Sequence, residues 1–142
     1  MTCQVDFYLL GENAPGAEQL ACQLALMAWE RMQNVHVITA TKSAAEQLDT
    51  LMWRYPEGRF LPHAITGNQD SARAPVHIGT PSGLNPTDVV INLCPEAVPE
   101  PERFSRILEI VPFAEDERQA SREKFRTYRD LGIVPRTNEI SK

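Results

Sequence analysis

The sequence predicts an α/β domain with a central, mainly parallel sheet, and the main evidence lies in its first forty residues. Residues 5–10 (VDFYLL) form a short apolar run with aromatic content, which is typical of a central strand. A helical pattern of leucine, methionine and alanine follows at 17–32, and the β-branched run at 35–39 (VHVIT) is typical of a buried strand. A strand, a helix and a strand in this order predict a right-handed βαβ unit with parallel strands.

Length and composition predict one domain over 1–142. The 142 residues are 42% apolar and 23% charged, which are ordinary values for a globular protein. A chain of this length can bury roughly two-thirds of its unfolded surface, so it needs no disulfide or metal to fold. The sequence shows no signal peptide and no apolar run of membrane-spanning length. We therefore expect a cytoplasmic protein without membrane contact.

A second helix is predicted to begin at Ser43, because Glu46 follows it at the spacing of a capping box. Leu48 belongs to the face that should pack on the sheet. Trp53 lies about 140° around the helix from Leu48, on the side that should face water. A large indole in that position is either an anchor for a partner protein or a ring covered by a neighbouring loop, and both interpretations remain open.

The remaining segments are shorter and more polar. Strands are predicted at 76–79 and 89–92, and the segment at 104–111 is predicted to begin as a short helix and continue as a strand. The polar, turn-rich segment at 67–75 predicts a mobile loop. Residues 135–142 lack an apolar pattern and are expected to form a flexible tail.

A third helix is predicted at 115–131, which contains no glycine or proline. Three acidic residues occupy its first turn, where carboxylates interact well with the helix dipole. Residues 118–129 hold five basic side chains and one acidic side chain, a net charge of +4. Because the whole chain carries −5, subtracting this segment leaves −9 for the rest. The molecule is therefore an acidic body with one basic stripe, which argues against broad nucleic-acid binding.

The arginines of this helix share one side. At about 100° per residue they fall within an arc of roughly 80°, with Phe125 about 20° outside its edge; they are Arg118, Arg122, Arg126 and Arg129. The opposite side is predicted to dock on the core through Ala120, Thr127, Tyr128 and Leu131. An acidic partner with an apolar end group would fit the arginine row, but a solvated basic face without a function is equally compatible with the spacing.

No catalytic, metal-binding or cofactor-binding pattern is visible. The loop at 11–18 (GENAPGAE) matches neither of the glycine-rich phosphate-binding motifs, although a bare nucleotide site at the strand ends remains an alternative. The cysteines and histidines lack the spacing of a zinc site, a disulfide framework or a nucleophile with its base; they are Cys3, Cys22, Cys94, His36, His63 and His77. The sequence therefore indicates a binding module.

Four segments resemble one known family in the same order and at similar spacing. They read FYLL, EQLACQLALMAWE, AAEQLDTLMWRYPEGRFLPH and VPFAEDERQASREKFRTYRDLG, while 67–105 matches weakly. The chain resembles the chi subunit of bacterial DNA polymerase III holoenzyme. The resemblance implies a single three-layer, Rossmann-like domain without a nucleotide-binding motif. It also implies an accessory subunit of the clamp-loader assembly, part of a DNA-directed DNA polymerase but with no catalysis, metal or cofactor of its own.

The resemblance further implies two protein-binding surfaces. One binds the acidic C-terminal tail of single-stranded DNA-binding protein, so that contact with DNA is indirect; by position it consists of Val111, Phe113, Arg118, Arg122, Phe125 and Arg126. The other binds the psi subunit through Trp53, Phe60 and Pro62. A repair helicase that uses the Trp53 surface in exclusion of psi is an alternative partner. Two other functions remain as alternatives: direct binding of single-stranded DNA with Phe125 as a stacking platform, and an enzyme with a degenerate nucleotide pocket.

Overall fold

A parallel sheet organises the computed structural model, which describes residues 3–14, 16–55, 58, 61–65, 74–80 and 88–140. Within these residues the strands are β1 (Gln4–Leu10), β2 (Val35–Ile38), β3 (His63–Ile65), β4 (Val76–Gly79), β5 (Val89–Asn92), β6 (Arg106–Val111) and β7 (Arg136–Ile140). Their order in the sheet is β3-β4-β2-β5-β6-β1-β7, and every neighbouring pair is parallel. The central strands β2 and β5 are buried throughout, as expected for a parallel sheet that is covered on both faces.

Three helices cover the two faces of this sheet in the described part of the chain: α1 (Ala17–Glu30), α2 (Lys42–Met52) and α3 (Glu115–Asp130). Strand β1 shows how the faces divide, since its side chains alternate. Leu10 packs in the cluster formed with α1 and α2, whereas Phe7 packs with Tyr128 of α3 on the other face. The predicted three-layer α/β fold with a parallel sheet is therefore confirmed.

The start of α2 differs from the prediction. The N-cap is Thr41, whose side-chain oxygen accepts a hydrogen bond of 3.0 Å from the backbone N–H of Ala44. Ser43 lies inside the first turn, so the predicted capping box with Glu46 is wrong. A threonine two residues earlier fills the same role, because its backbone is still extended where the chain leaves β2.

The segment before α3 was predicted only in part. The strand is present as β6, but the short helix lies earlier than predicted, as a 3₁₀ turn at Pro101–Arg103. The sequence predicts a flexible tail after 134, yet Arg136–Ile140 form β7 at the edge of the sheet, held by backbone pairing with β1. The predicted mobile loop at 67–75 lies outside the described residues, except for its last two. None of the helices in the described ranges is long and apolar enough to cross a membrane.

A candidate protein-binding hollow beside helix α3

Helix α3 begins at Glu115 and ends at Asp130, close to the predicted bounds. Its N-cap, Ala114, makes no side-chain capping bond. Glu115, Asp116 and Glu117 occupy the first turn, and their charges complement the exposed N–H groups there. A helix that is strongly polar along most of its length is therefore stabilised at its start by electrostatics as well as by packing.

A hollow of about 250 Å³ lies between α3 and the edge of the sheet formed by β1 and β7. Its walls are mainly apolar, with one guanidinium group at the rim; they comprise Phe7, Leu9, Ser121, Arg122, Phe125 and Thr137. The rings of Phe7 and Phe125 lie 5.6 Å apart between centroids and pack against each other, with Phe7 buried and Phe125 half-buried. The arrangement can receive one apolar side chain whose neighbouring carboxylates reach Arg122.

Arg122 is held only loosely by its contacts within the chain. Its side chain is 63% exposed and lies 3.4 Å from the carboxylate of Glu115, which is 75% exposed. An ion pair of this kind contributes only about 0–1 kcal/mol, since water screens both charges. The guanidinium group can therefore exchange this contact for a bond to an incoming carboxylate.

Arg118 lies one turn earlier and contacts a second aromatic ring. Its guanidinium carbon is 4.9 Å from the centroid of Phe113, which is half exposed. This distance is typical of a cation–π contact, and it keeps a positive charge beside an exposed apolar ring. Arg126, one turn after Arg122, is exposed. Val111 packs within the core, and neither it nor Phe113 is among the residues that line the hollow.

The predicted docking face of α3 is right for Tyr128, which is buried, and for Ala120, which is half-buried, but wrong for Thr127 and Leu131. Leu131 is 58% exposed and Thr127 is also exposed, while the buried residues of the helix are Ser121, Lys124 and Tyr128. Only Tyr128 belongs to the predicted face. Lys124 is therefore not part of the exposed basic stripe, although it was counted in the net charge of +4 for residues 118–129.

Lys124 instead forms a buried ion pair with a strand. Its Nζ lies 2.7 Å from Oε1 of Glu109 on β6, and the two side chains are 6% and 0% exposed. Oε2 of Glu109 accepts a hydrogen bond of 2.5 Å from the Tyr128 hydroxyl and one of 2.9 Å from the side-chain amide of Asn92. Burial raises the pKa of Glu109, whereas the ammonium group of Lys124 acts in the opposite direction. Burial and the nearby carboxylate both raise the pKa of Tyr128, so its hydroxyl stays protonated and donates.

Trp53 lies on a separate surface at the end of α2, where it is 62% exposed as predicted. Its ring packs against His63 at a centroid distance of 4.7 Å. His63 is itself held in place, because Nδ1 lies 2.6 Å from the carbonyl of Leu61 and Nε2 lies 3.3 Å from a carboxylate oxygen of Asp49. Pro62 is half-buried beside it. Phe60, the third predicted residue of this surface, lies outside the described residues.

A larger cavity of about 620 Å³ lies near the carboxyl end of β2, between α1 and α2. In open α/β sheets this is where nucleotides bind. Its polar lining residues are acidic or neutral, namely Glu18, Gln19, Thr39 and Gln47, and no basic side chain of the described ranges lines it. Likewise, no group of three or more histidine, cysteine, aspartate or glutamate residues in the described ranges is placed to hold a metal ion.

Four residues of the hollow were missed by the sequence predictions: Phe7, Leu9, Ser121 and Thr137. Phe7 and Leu9 lie on β1, which was predicted only as a core strand. Because β1 is the neighbour of the edge strand β7, its face toward α3 is partly accessible at Leu9. Thr137 carries no signal in the sequence, because β7 is held by backbone pairing rather than by an apolar pattern.

Solved structures share the fold of the chain. S. cerevisiae Dbp5 L327V, bound to Nup159, Gle1 H337R, IP6 and ADP, superposes with a TM-score of 0.64 at 13% identity. That alignment covers 94% of this chain and 41% of the other. A DEAD box protein from Methanococcus jannaschii gives a TM-score of 0.59 at 13% identity, over 96% of this chain and 42% of the other. The chain thus spans about two-fifths of their length, and at such low identity the likeness shows the fold alone.

Sequence relatives are more specific. The family model described as "DNA polymerase III chi subunit, HolC" matches residues 1–136. DNA polymerase III subunit chi of Pseudomonas aeruginosa is 36% identical over 130 residues, covering 91% of each chain. DNA polymerase III subunit chi of Escherichia coli K12 is 28% identical over 134 residues, covering 89% of this chain and 91% of that one. The chain therefore belongs to the DNA polymerase III chi subunit family, and it is an accessory subunit in DNA replication.

Proposed function

We propose that the chain couples the replicative polymerase to single-stranded DNA-binding protein by holding its acidic C-terminal tail in the hollow beside α3. The observation that carries this proposal is an apolar hollow with Arg122 at its rim, on a basic helix of an otherwise acidic molecule. The apolar end of the tail fills the hollow and packs on the half-buried ring of Phe125. The carboxylates before it reach Arg122, Arg118 and Arg126.

The expected contact is weak and salt-sensitive. Bonds from guanidinium groups to carboxylates are stronger than neutral hydrogen bonds. Exposed pairs nevertheless contribute only about 0–1 kcal/mol each, and salt screens them. Several tails on one DNA-binding protein assembly then restore affinity through multivalency. Such a contact suits a subunit that must release its partner as replication advances.

The test is a titration of the tail peptide into the wild type and into Arg122→Ala. The variant is expected to bind up to about fivefold more weakly, because it loses one exposed charge-assisted contact of about 0–1 kcal/mol. Arg129→Ala is the matched control, since it removes the same charge from the same helix without touching the hollow. Equal affinities of the wild type and Arg122→Ala would refute the assignment of the site.

We further propose that the Trp53 surface binds the psi subunit and so joins the chain to the clamp-loader assembly. Trp53 is a large exposed ring on a rigid support, His63, which is the character of an interface anchor. Phe60 and Pro62 complete this surface in the proposal. A cytoplasmic location follows from this role.

Trp53→Ala is expected to weaken psi binding by about 2 kcal/mol or more while the affinity for the tail peptide stays unchanged. Both affinities should be measured by calorimetry on the same preparations. Loss of both in a folded variant would contradict two separate surfaces. Competition between psi and a repair helicase for the wild type then decides whether the helicase shares the surface.

The alternative functions gain no support from the described part of the chain. Direct binding of single-stranded DNA would need more than one basic helix on a molecule of net charge −5. A nucleotide-binding enzyme would need cations near the phosphates, and the described lining of the cavity at the strand ends has none.

A further inference from the structure

The buried residues of α3 and those that line the hollow are close neighbours along the helix. Ser121 and Lys124 are buried, Ser121 also borders the hollow, and each is followed directly by a further lining residue, Arg122 or Phe125. Adjacent residues are about 100° apart around a helix. The rotation of α3 about its own axis therefore decides whether Arg122 and Phe125 face the hollow at all.

Apolar packing alone gives α3 few contacts that could fix this rotation. Two of its three buried residues, Ser121 and Lys124, are polar, and the third is Tyr128. Phe125 is only half-buried. Apolar burial is also non-directional, so it tolerates small rotations of a helix over a flat sheet.

Directional bonds are concentrated at Glu109 instead. One carboxylate oxygen accepts from Lys124, and the other accepts from Tyr128 and Asn92. The Tyr128 hydroxyl also accepts a hydrogen bond of 2.9 Å from the backbone N–H of Val98. The network therefore links α3 to β6, to β5 and to the segment after β5. A rotation or sliding of α3 would leave a charge of this network buried without its partner, which is strongly unfavourable.

We propose that Lys124 and Glu109 are positioning residues for ligand binding, which hold α3 in the one rotation that places Arg122 and Phe125 at the hollow. A buried ion pair is weak evidence for added stability, but it can specify a single register. The inference rests on the proposed function of the hollow as a site for an acidic peptide with an apolar end.

The test uses the double substitution Glu109→Gln/Lys124→Met, which removes both charges together and keeps side chains of similar size. The oxygen of the glutamine can still accept from Tyr128 and Asn92. The probe is a synthetic peptide of consecutive aspartates that ends in phenylalanine with a free carboxylate. The dissociation constant should rise about fivefold, the size of effect found for residues that act on a site without contacting the ligand. NMR signals of the Arg122 side chain should broaden or shift in the same variant.

Leu48→Ala is the matched control, because Leu48 is buried on the opposite face of the sheet. It should lower stability at least as much as the double substitution while the affinity for the peptide stays the same. If the peptide binds the double variant as it binds the wild type, while Arg122→Ala binds weakly, the positioning role is overturned and the proposed function stands. If Arg122→Ala also binds like the wild type, both are overturned.

Glu109→Met/Lys124→Leu repeats the test should the first double variant fail to fold. It also removes both charges of the pair, and apolar residues of similar size in place of a buried ion pair are often tolerated without loss of stability. The same rise in the dissociation constant is expected, and an unchanged value would overturn the proposal.

Discussion

Two basic residues of α3 that are only two positions apart, Arg122 and Lys124, form ion pairs in opposite environments, one exposed and one buried. The pair of Lys124 with Glu109 is 2.7 Å long and almost fully buried, whereas the pair of Arg122 with Glu115 is 3.4 Å long and mostly exposed. The first pair is shielded from water, and its carboxylate also accepts one hydrogen bond from the Tyr128 hydroxyl. Basic residues on one helix can therefore serve two purposes: one holds the helix on its sheet, and the other remains exchangeable for a ligand.

The largest expected effect is on stability, and it is expected for Lys124→Met. The variant leaves the carboxylate of Glu109 buried without a cation, so the free energy of unfolding should fall by about 3–5 kcal/mol. Urea denaturation monitored by circular dichroism measures the change. The matched substitution Arg122→Met should alter the same quantity by no more than about 0.5 kcal/mol. Similar losses for the two variants would show that burial does not distinguish the two pairs.

The stability of Lys124→Met should depend on pH, because the variant leaves the carboxyl group of Glu109 buried without its cation. Burial raises the pKa of Glu109 above its ordinary value of 4.5, and the variant removes the cation that opposes this effect of burial. A carboxyl group with a raised pKa in the folded state binds its proton more readily there than in the unfolded state. The cost of its burial is therefore absent below pH 4.5. It grows as the pH rises toward the raised pKa, by about 1.4 kcal/mol for each pH unit.

The stability gap between the wild type and Lys124→Met should consequently be smaller at pH 5 than at pH 8. Denaturation curves at the two pH values provide the measurement. The double variant Glu109→Gln/Lys124→Met has no carboxyl group at this position, so its gap to the wild type should not change in this way. A gap for Lys124→Met that widens toward acid would contradict the assigned direction of the change in pKa.

The smallest expected effect is on the affinity for an acidic peptide, and it concerns the exposed pair of Arg122 with Glu115. Glu115→Gln removes the carboxylate that competes with a ligand for Arg122, so the affinity for an acidic peptide should rise about twofold. Asp116→Asn removes an equal charge from the same turn and serves as the control, with a smaller rise expected. The two dissociation constants can be compared by fluorescence titration. An equal rise in both would assign the effect to net charge rather than to the contact with Arg122.

The sequence predicted the existence of α3 but not its rotation. A stretch without glycine or proline is enough to predict a helix. The buried face could not be found by looking for apolar residues, because Ser121 and Lys124 are two of its three buried members. The available signal was Glu109, an acidic residue with apolar residues on both sides in its strand, since an acid buried in a strand requires a cation nearby.

The hollow was predicted only on its helical side. Arg122 and Phe125 follow from the helical spacing and from the resemblance to the chi family. Thr137 does not, because most side chains of β7 are exposed and its place at the sheet edge depends on backbone hydrogen bonds with β1. The parallel sheet itself was predictable from its beginning, since the apolar strands β1 and β2 are joined by a helix. An edge strand without an apolar pattern is not distinguishable from a tail.

Binding at the hollow can be tested most directly by mapping backbone amide NMR shifts while an acidic peptide with an apolar C-terminal residue is added. We expect the shifts to cluster at the residues of the hollow and the signal of Trp53 to stay in place; the affected residues should include Phe7, Ser121, Arg122, Phe125 and Thr137. Shifts that cluster at Trp53, or that spread over the surface without reaching the hollow, would contradict binding at the hollow.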